Sequence, residues 1–246
     1  MITLHSFGPG FGLPELSPYV LKTEVQLQMA GLDYRKVRSR PQDGPKGQLP
    51  FIEDAGDMIG DSSFIRDHIE WTYGVNLDEG LSDLQKAQAW AIERLLENHL
   101  AWAVIHQRWL LADNFAKGPA HFFDAVPPTV RDQLRREAYH EVKARVRGVG
   151  LGRHSDEEIV DLGEKSLHAL SVVLGDQPYL MGERACGTDA SLFGVLACVL
   201  APFFDSPLRE RAERFGNLGA YVDRMMARYY PAFAWRREPA RSRQVA

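Results

Sequence analysis

The first eighty residues alternate short apolar runs with polar, Gly- and Pro-rich loops, a pattern typical of a mixed α/β unit. Four short runs rich in strand formers are predicted, at residues 2–7, 34–38, 49–52 and 58–60. Helices are predicted to begin at Ser17-Pro18 and at Asp61-Ser62, where capping residues precede apolar positions at helical spacing. The resulting order of elements implies a parallel first pair of strands and a hairpin between the last two.

From Leu81 onward the strand pattern stops and helical periodicity takes over. One apolar stripe keeps helical phase for more than six turns, through Leu84, Ala87, Ala91, Leu95, Trp102, Ile105 and Trp109. Four further helices are predicted, near residues 129–146, 155–174, 189–200 and 217–230. Two of them carry candidate capping boxes, Thr129 with Asp132 and Ser155 with Glu158.

This change of pattern divides the chain into two domains. Residues 1–76 are expected to form an α/β domain, residues 82–235 an all-helical domain, and residues 236–246 a frayed tail. A length of 246 residues agrees with two packed domains, since single domains usually stay below roughly 200 residues.

Charge and composition exclude several classes of function. A net charge of -4 argues against a nucleic-acid partner, which needs a basic surface. The longest apolar run, residues 192–204, is too short for a membrane span, which needs about 20 residues. The N-terminus lacks the features of a signal peptide, and Cys186 and Cys198 are too few for a disulfide framework. We therefore expect a cytoplasmic protein.

Leu49-Pro50 is the most informative dipeptide. A cis bond there would turn the chain so that the backbone N–H and C=O of Leu49 face a visiting extended peptide. The local sequence alone favours an ordinary trans proline at a strand edge, because only about 5–6% of X-Pro bonds are cis.

Asp61-Ser62 is the second candidate. A helix N-terminus attracts a carboxylate, and the Asp61 side chain can pair with an ammonium, so one site would hold an amino acid by both ends. Simple helix capping is the commoner use of such residues, and local sequence favours it.

Ser17 is the third candidate, at a helix start beside the Gly-rich loop. Its hydroxyl would donate a hydrogen bond to a thiolate and, with the helix end, lower the pKa of that thiol. An N-cap explains Ser17-Pro18 equally well. Tyr19 can reach the same space, although an aromatic residue in a first turn more often packs.

On the long helix, His99, Trp102, His106 and Trp109 share one face and are weaker candidates for an apolar substrate pocket. A packing face with histidines at its edge is the commoner arrangement. His99 and His106 lie two turns apart without a third donor, so we predict no metal site. No nucleophile elbow, P-loop or dinucleotide motif is present.

Together these segments resemble the glutathione transferase superfamily. Residues 44–53 followed by Gly60-Asp61-Ser62 are similar to its glutathione-binding region, and Ser17-Pro18-Tyr19 is similar to its active-site motif. The resemblance implies a thioredoxin-like N-terminal domain, a cis Pro50, Leu49 pairing with the cysteine backbone of glutathione, and Asp61-Ser62 holding the γ-glutamyl end.

The second half agrees with this resemblance. Residues 187–194 resemble the Asp-containing start of the core helix of the family, with Cys186 where Ser or Thr is usual. The long loop before Ser17 and residues 152–158 are similar to the metaxin/failed-axon-connections-like branch. That branch contains both bacterial transferases and non-enzymatic adaptors, and the family implies a homodimer.

The leading hypothesis is a transferase that conjugates or reduces small electrophiles with glutathione as co-substrate, Ser17 being catalytic. The alternative is a non-catalytic interaction module with the same fold. A thiol–disulfide reductase is disfavoured, because Ser17 and Val20 occupy both positions of a Cys-x-x-Cys motif.

Overall fold

Four strands form one mixed sheet at the N-terminal end of the chain. The computed structural model describes residues 1–235, so the tail predicted at 236–246 lies outside the described residues. The strands are β1 (Ile2–Ser6), β2 (Tyr34–Arg38), β3 (Phe51–Asp54) and β4 (Asp57–Gly60), in the order β2-β1-β3-β4. β1 pairs parallel with β2, and β3 pairs antiparallel with both β1 and β4. The predicted parallel pair and hairpin are both confirmed.

Two helices pack on this sheet, α1 (Pro18–Met29) and α2 (Ser62–Tyr73). α1 starts as predicted, with Ser17 as its N-cap. α2 begins after Asp61, whose side chain accepts from the amide of Ser63, and ends at Gly74 in the left-handed conformation that glycine favours. Sheet and helices together give a thioredoxin-like unit of the expected element order.

The rest of the described chain is helical. The helices are α3 (Asp83–Leu95), α4 (Ala101–Trp109), α5 (Ala112–Lys117), α6 (Pro128–Gly148), α7 (Asp156–Leu174), α8 (Gly187–Leu200), α9 (Pro207–Ala212) and α10 (Gly216–Tyr229). A π-helical turn, Leu96–Leu100, joins α3 to α4, so the first predicted long helix is one run with an irregular middle. Two helices, α5 and α9, were not predicted, and each is only six residues long.

The apolar stripe predicted on that long helix does not face the core along its length. Leu84 is 69% exposed, and Ala87 and Ala91 also lie in solvent, whereas Ala89 and Glu93 are buried. Two physical reasons explain the difference. A buried carboxylate occupies the core face, and the π-helical turn, with its i→i+5 hydrogen bonds, rotates the helix face at its middle.

Of the two predicted capping boxes, one is confirmed and one is wrong. Ser155 and Glu158 exchange backbone-to-side-chain hydrogen bonds of 2.8 and 3.2 Å at the start of α7. α6, in contrast, starts at Pro128 without any side-chain cap, so Thr129 already lies inside the helix. Proline fixes a helical φ and lacks an amide, which suits it to the first helical position, so Pro128 starts the helix one residue before the predicted cap.

α1 belongs to both hydrophobic cores. Val20 and Leu27 pack in the core of the sheet, whereas Leu21 and Val25 pack with the helical domain. The helical partner is α8, which is buried along its whole length. The close approach requires glycine at 194, because a Cβ there would lie 2.4 Å from the carbonyl oxygen of Pro18. The start of α1 is therefore fixed at the contact between the two domains.

Within residues 1–235, every helix is too short or too polar to cross a membrane.

Candidate functional site

One edge of the sheet brings the main candidate residues together. The pairing of His5 with Phe51 puts the start of β3 beside the end of β1. The pairing of Phe51 with Gly60 puts the end of β4 at the same edge. The loop after β1 leads to Ser17 at this edge, so Ser17, Leu49-Pro50 and Asp61-Ser62 share it although they are far apart in sequence.

The peptide bond between Leu49 and Pro50 is cis, as the resemblance implied. Leu49 is 6% exposed and packs in the core of the sheet, so its backbone, and not its side chain, borders the edge. The Pro50 carbonyl accepts a hydrogen bond of 3.3 Å from the amide of Asp61. This bond joins the Leu49-Pro50 segment to the start of α2.

Asp61 has an unusual backbone conformation for a residue with a side chain, with φ of 80° and ψ of 129°. Such backbone strain concentrates at functional sites. One carboxylate oxygen accepts from the amide of Ser63 at 2.9 Å, and the other accepts from the exposed Gln48 amide at 3.2 Å. Ser62 is buried at the first position of α2. The pair thus offers an anion beside a helix N-terminus.

Ser17 lies at the N-terminus of α1 and is 8% exposed. Its hydroxyl oxygen accepts from the amide of Val20 at the long distance of 3.5 Å. The hydroxyl hydrogen therefore stays available as a donor, and the positive end of the α1 dipole lies beside it. This is the arrangement needed to stabilise an anion such as a thiolate.

Tyr19, in the first turn of α1, packs against the core of the helical domain. Its hydroxyl donates to the carbonyl of Glu97 at 3.4 Å, across the domain contact. Burial, with a smaller contribution from the Glu97 carboxylate, raises the pKa of Tyr19 well above its ordinary value. Tyr19 is therefore a neutral hydrogen-bond donor and not a base near neutral pH.

The histidine and tryptophan stripe lies elsewhere. His99 contacts Ser166 of α7 at 2.9 Å, and His106 lies 3.2 Å from Asp156 at the start of α7. Burial lowers the pKa of both histidines. Trp109 packs against Phe115 and Phe122, and Trp102 packs against the helical core. The stripe therefore packs against α5, residues 119–123 and α7, and none of these contacts involves Ser17.

A buried ion cluster that was not predicted from the sequence lies beside the site. The ammonium of Lys22, on α1, lies 3.0 Å from Glu93 and 2.8 Å from Glu97 of the helical domain. Arg94 completes the cluster with contacts of 2.9 and 2.8 Å to the same two carboxylates. Lys22 also reaches the hydroxyl of Ser63, at 3.5 Å. Only the apolar or charged character of each position is visible in sequence, and Lys22 is more than 70 residues from both carboxylates.

The residues that hold the loop before Ser17 were also not predicted from the sequence. The Glu15 carboxylate is fully buried and accepts from the amides of Gly8 and Leu16, at 3.0 and 2.9 Å. Burial raises the pKa of Glu15. Arg108 of α4 donates to the carbonyl of Leu16 at 3.0 Å from the opposite side. The loop is thus fixed from both domains.

The two cysteines, Cys186 and Cys198, are free and buried in the helical domain. Burial raises the pKa of both thiols above the ordinary value, so both stay protonated near neutral pH. Among the described residues, no three His, Cys, Asp or Glu side chains are grouped to hold a metal ion.

Two family descriptions match this chain. "Glutathione S-transferase N-terminal domain" matches residues 18–114, and "Glutathione S-transferase, C-terminal domain" matches residues 163–225. A relative from Rhodococcus, isoprene-epoxide–glutathione S-transferase, is 30% identical over 93% of this chain and 99% of its own length.

A second relative, failed axon connections from Drosophila melanogaster, is 33% identical over 94% of this chain. The chain spans 58% of that longer protein. Among solved structures, a glutathione S-transferase from Methylobacterium radiotolerans in complex with glutathione sulfonate has a TM-score of 0.59. It is 19% identical, and the match covers 96% of each chain.

Proposed function

Because this chain belongs to the glutathione S-transferase family, we propose that it transfers glutathione to a small electrophile. The observation that carries the proposal is the single sheet edge shared by Ser17, the Leu49-Pro50 segment and the Asp61-Ser62 helix start. A glutathione molecule has three matching parts: a thiol, a peptide backbone and an amino acid end.

In this proposal, Asp61 and the N-terminus of α2 hold the γ-glutamyl end. Asp61 pairs with the ammonium, which replaces Gln48 on one carboxylate oxygen, and Ser62 with the helix end receives the carboxylate. Leu49 pairs through its backbone with the cysteine of glutathione. The thiol then lies at the N-terminus of α1, beside Ser17.

The proposed reaction starts from the thiolate. A free thiol has a pKa of about 8.5, and each unit by which the site lowers it is worth about 1.4 kcal/mol. The Ser17 hydroxyl and the end of the α1 dipole can together supply about one to two units. The thiol proton leaves to water, the sulfur forms a bond to the electrophilic carbon, and the leaving oxygen takes a proton from water.

An epoxide is the first electrophile that we would test. The Rhodococcus relative is named for isoprene epoxide, and it matches this chain along nearly its whole length. In the proposed step the C–S bond forms as one C–O bond of the epoxide ring breaks. The resulting alkoxide then takes up a proton.

We expect Ser17→Ala and Asp61→Ala to separate chemistry from binding. Ser17→Ala should lower turnover of isoprene epoxide about tenfold, because one unit of thiol pKa changes the thiolate fraction tenfold near neutral pH. It should leave glutathione affinity nearly unchanged. Asp61→Ala should weaken glutathione binding measured by calorimetry, since it removes the partner of the ammonium.

Ser82→Ala is the matched control for Ser17→Ala, because Ser82 caps α3 in the same way but lies outside the proposed site. Both substitutions remove an N-cap worth about 1 kcal/mol. Equal turnover in wild type and Ser17→Ala would contradict the catalytic role. Glutathione binding without turnover of any electrophile would favour the interaction module, and no binding at all would remove glutathione from the proposal.

We also propose that the protein is a homodimer. Consecutive helices α2 and α3 expose large apolar side chains: Phe64 is 55% exposed, Trp71 90%, Leu84 69% and Trp90 59%. Exposed apolar surface of this extent is typical of a protein interface. A second copy of the chain fits best, because the family is dimeric by resemblance and the surface flanks the joint between the domains.

Trp71→Glu is expected to convert the dimer to a monomer, because a carboxylate buried in an apolar interface is strongly unfavourable. Light scattering after size-exclusion chromatography should give twice 27.7 kDa for the wild type and 27.7 kDa for the variant. Val172→Glu, at an exposed position of α7, is the control and should stay dimeric. A wild type of monomeric mass would exclude the proposal.

A further inference from the structure

Arg108 of α4 is a buried arginine at the contact between the two domains. Its side chain is 7% exposed, and its two terminal nitrogens donate to the carbonyls of Leu16 and Cys198, at 3.0 and 3.2 Å. Leu16 directly precedes Ser17, and Cys198 belongs to α8. The guanidinium therefore joins the active-site loop to the core helix, next to the N-terminus of α1.

The charge of Arg108 lacks an anionic partner within the part of the chain that the structure describes. Among residues 1–235, no carboxylate lies within ion-pair distance of it, and its Nε is buried without an acceptor. Two rings lie near the guanidinium, Phe11 at 5.9 Å and Phe204 at 5.4 Å. Arginine cannot lose its proton in a protein, and an unpaired buried cation is costly. Buried Lys22, in contrast, has two carboxylates.

The titratable groups around Arg108 do not neutralise it. Glu15, from the loop, is already held by two amides and lies 3.7 Å from Lys36. Cys198, from α8, is a thiol whose pKa is raised by burial and lowered less strongly by Arg108. On the neighbouring face of α4, His106 pairs with Asp156. The guanidinium therefore keeps a positive charge beside the Leu16 carbonyl, one residue before Ser17.

We propose that Arg108 is a positioning residue of the glutathione site, which fixes the Leu16–Ser17 backbone and supplies the positive charge that a bound thiolate faces. This inference rests on the proposed function. Fixed charges act strongly in a water-excluded site, because the protein interior screens them less than water does. The ligand that would balance the charge of the buried guanidinium is thus an anion at the N-terminus of α1. The thiolate of glutathione bound beside Ser17 is such an anion.

The test is a pH titration of glutathione bound to the protein, followed by the ultraviolet absorbance of the thiolate. Arg108→Gln should raise the apparent pKa of the bound thiol by about one unit, since a nearby opposite charge shifts a pKa by about 1–3 units. Arg108→Lys keeps the charge and should keep the low thiol pKa. Arg131→Gln is the control, because Arg131 also donates to backbone carbonyls but lies at the start of α6.

The outcomes separate this inference from the proposed function. If the wild type binds no glutathione, the proposed function fails. If the wild type lowers the thiol pKa and folded Arg108→Gln lowers it equally, the role of Arg108 is overturned and the proposed function stands. An equal rise of the pKa in Arg108→Lys also overturns the charge argument. Arg108→Met, which keeps the alkyl chain, serves as the neutral variant if Arg108→Gln does not fold.

Discussion

Replacing Lys22 with methionine is expected to lower the free energy of unfolding by about 3–5 kcal/mol, the usual cost of breaking a buried ion pair. Lys22 is 1% exposed and contacts Glu93 and Glu97 at 3.0 and 2.8 Å. Methionine preserves the volume and removes only the charge. Two buried carboxylates would then share Arg94 as their one cation, and the contact between α1 and the helical domain would lose its ionic part.

Urea unfolding followed by circular dichroism measures this effect. Lys86→Met is the matched control at an exposed position of α3, and its effect should stay within about 0.5 kcal/mol. The double variant Lys22→Met with Glu97→Gln should recover part of the loss, because it removes the carboxylate left without its lysine. A loss below about 1 kcal/mol in Lys22→Met would show an ion pair no stronger than one on the surface.

Asp189→Ala is expected to destabilise the protein by about 3 kcal/mol or more, because it leaves several buried donors without acceptors. The Asp189 side chain accepts from the amides of Leu180 and Cys186, at 2.9 and 2.8 Å, and from the hydroxyl of Tyr221 at 2.8 Å. Asp189 is completely buried near the start of α8. The substitution therefore affects the cap of the core helix, the preceding loop and α10 together.

Thermal unfolding compares Asp189→Ala with Asp83→Ala, at the exposed start of α3. Asp83→Ala should have an effect near that of an ordinary surface substitution. Asp189→Asn keeps an acceptor oxygen and should fall between wild type and Asp189→Ala. If Asp189→Ala unfolds at the temperature of the wild type, water or a rearranged loop satisfies the three donors, and the stability of the protein does not depend on the Asp189 carboxylate.

Much of the fold follows from the sequence because its signals are local. The order of strands and helices, the start of α1 at Ser17-Pro18 and the Ser155–Glu158 box each depend on residues within a few positions of one another. The boundaries of the short helices do not, since a six-residue helix carries too few turns to show a periodic pattern.

The candidate site also has a part that local sequence predicts and a part that it does not. Leu49-Pro50 and Asp61-Ser62 are visible as motifs in the right order, and the strand pairing brings them to one edge. The roles of Glu93 and Arg108 could not be predicted from the sequence, because the partner that explains each of them is 71 and 92 residues away, respectively. Charged residues are normally assigned to the surface. The stripe on the long helix was misplaced for this reason.

The position of α1 between the two domains determines how ligand binding changes the stability of the whole chain. One face of α1 packs in the core of the sheet and the other packs in the core of the helical domain. Gly194 allows the first turn of α1 to pack closely against α8. Loss of structure in either domain would expose one face of the same helix, so we expect the two domains to unfold as one cooperative unit. A ligand that binds at the start of α1 stabilises the native state as a whole, and the gain reaches α10 as fully as it reaches the sheet.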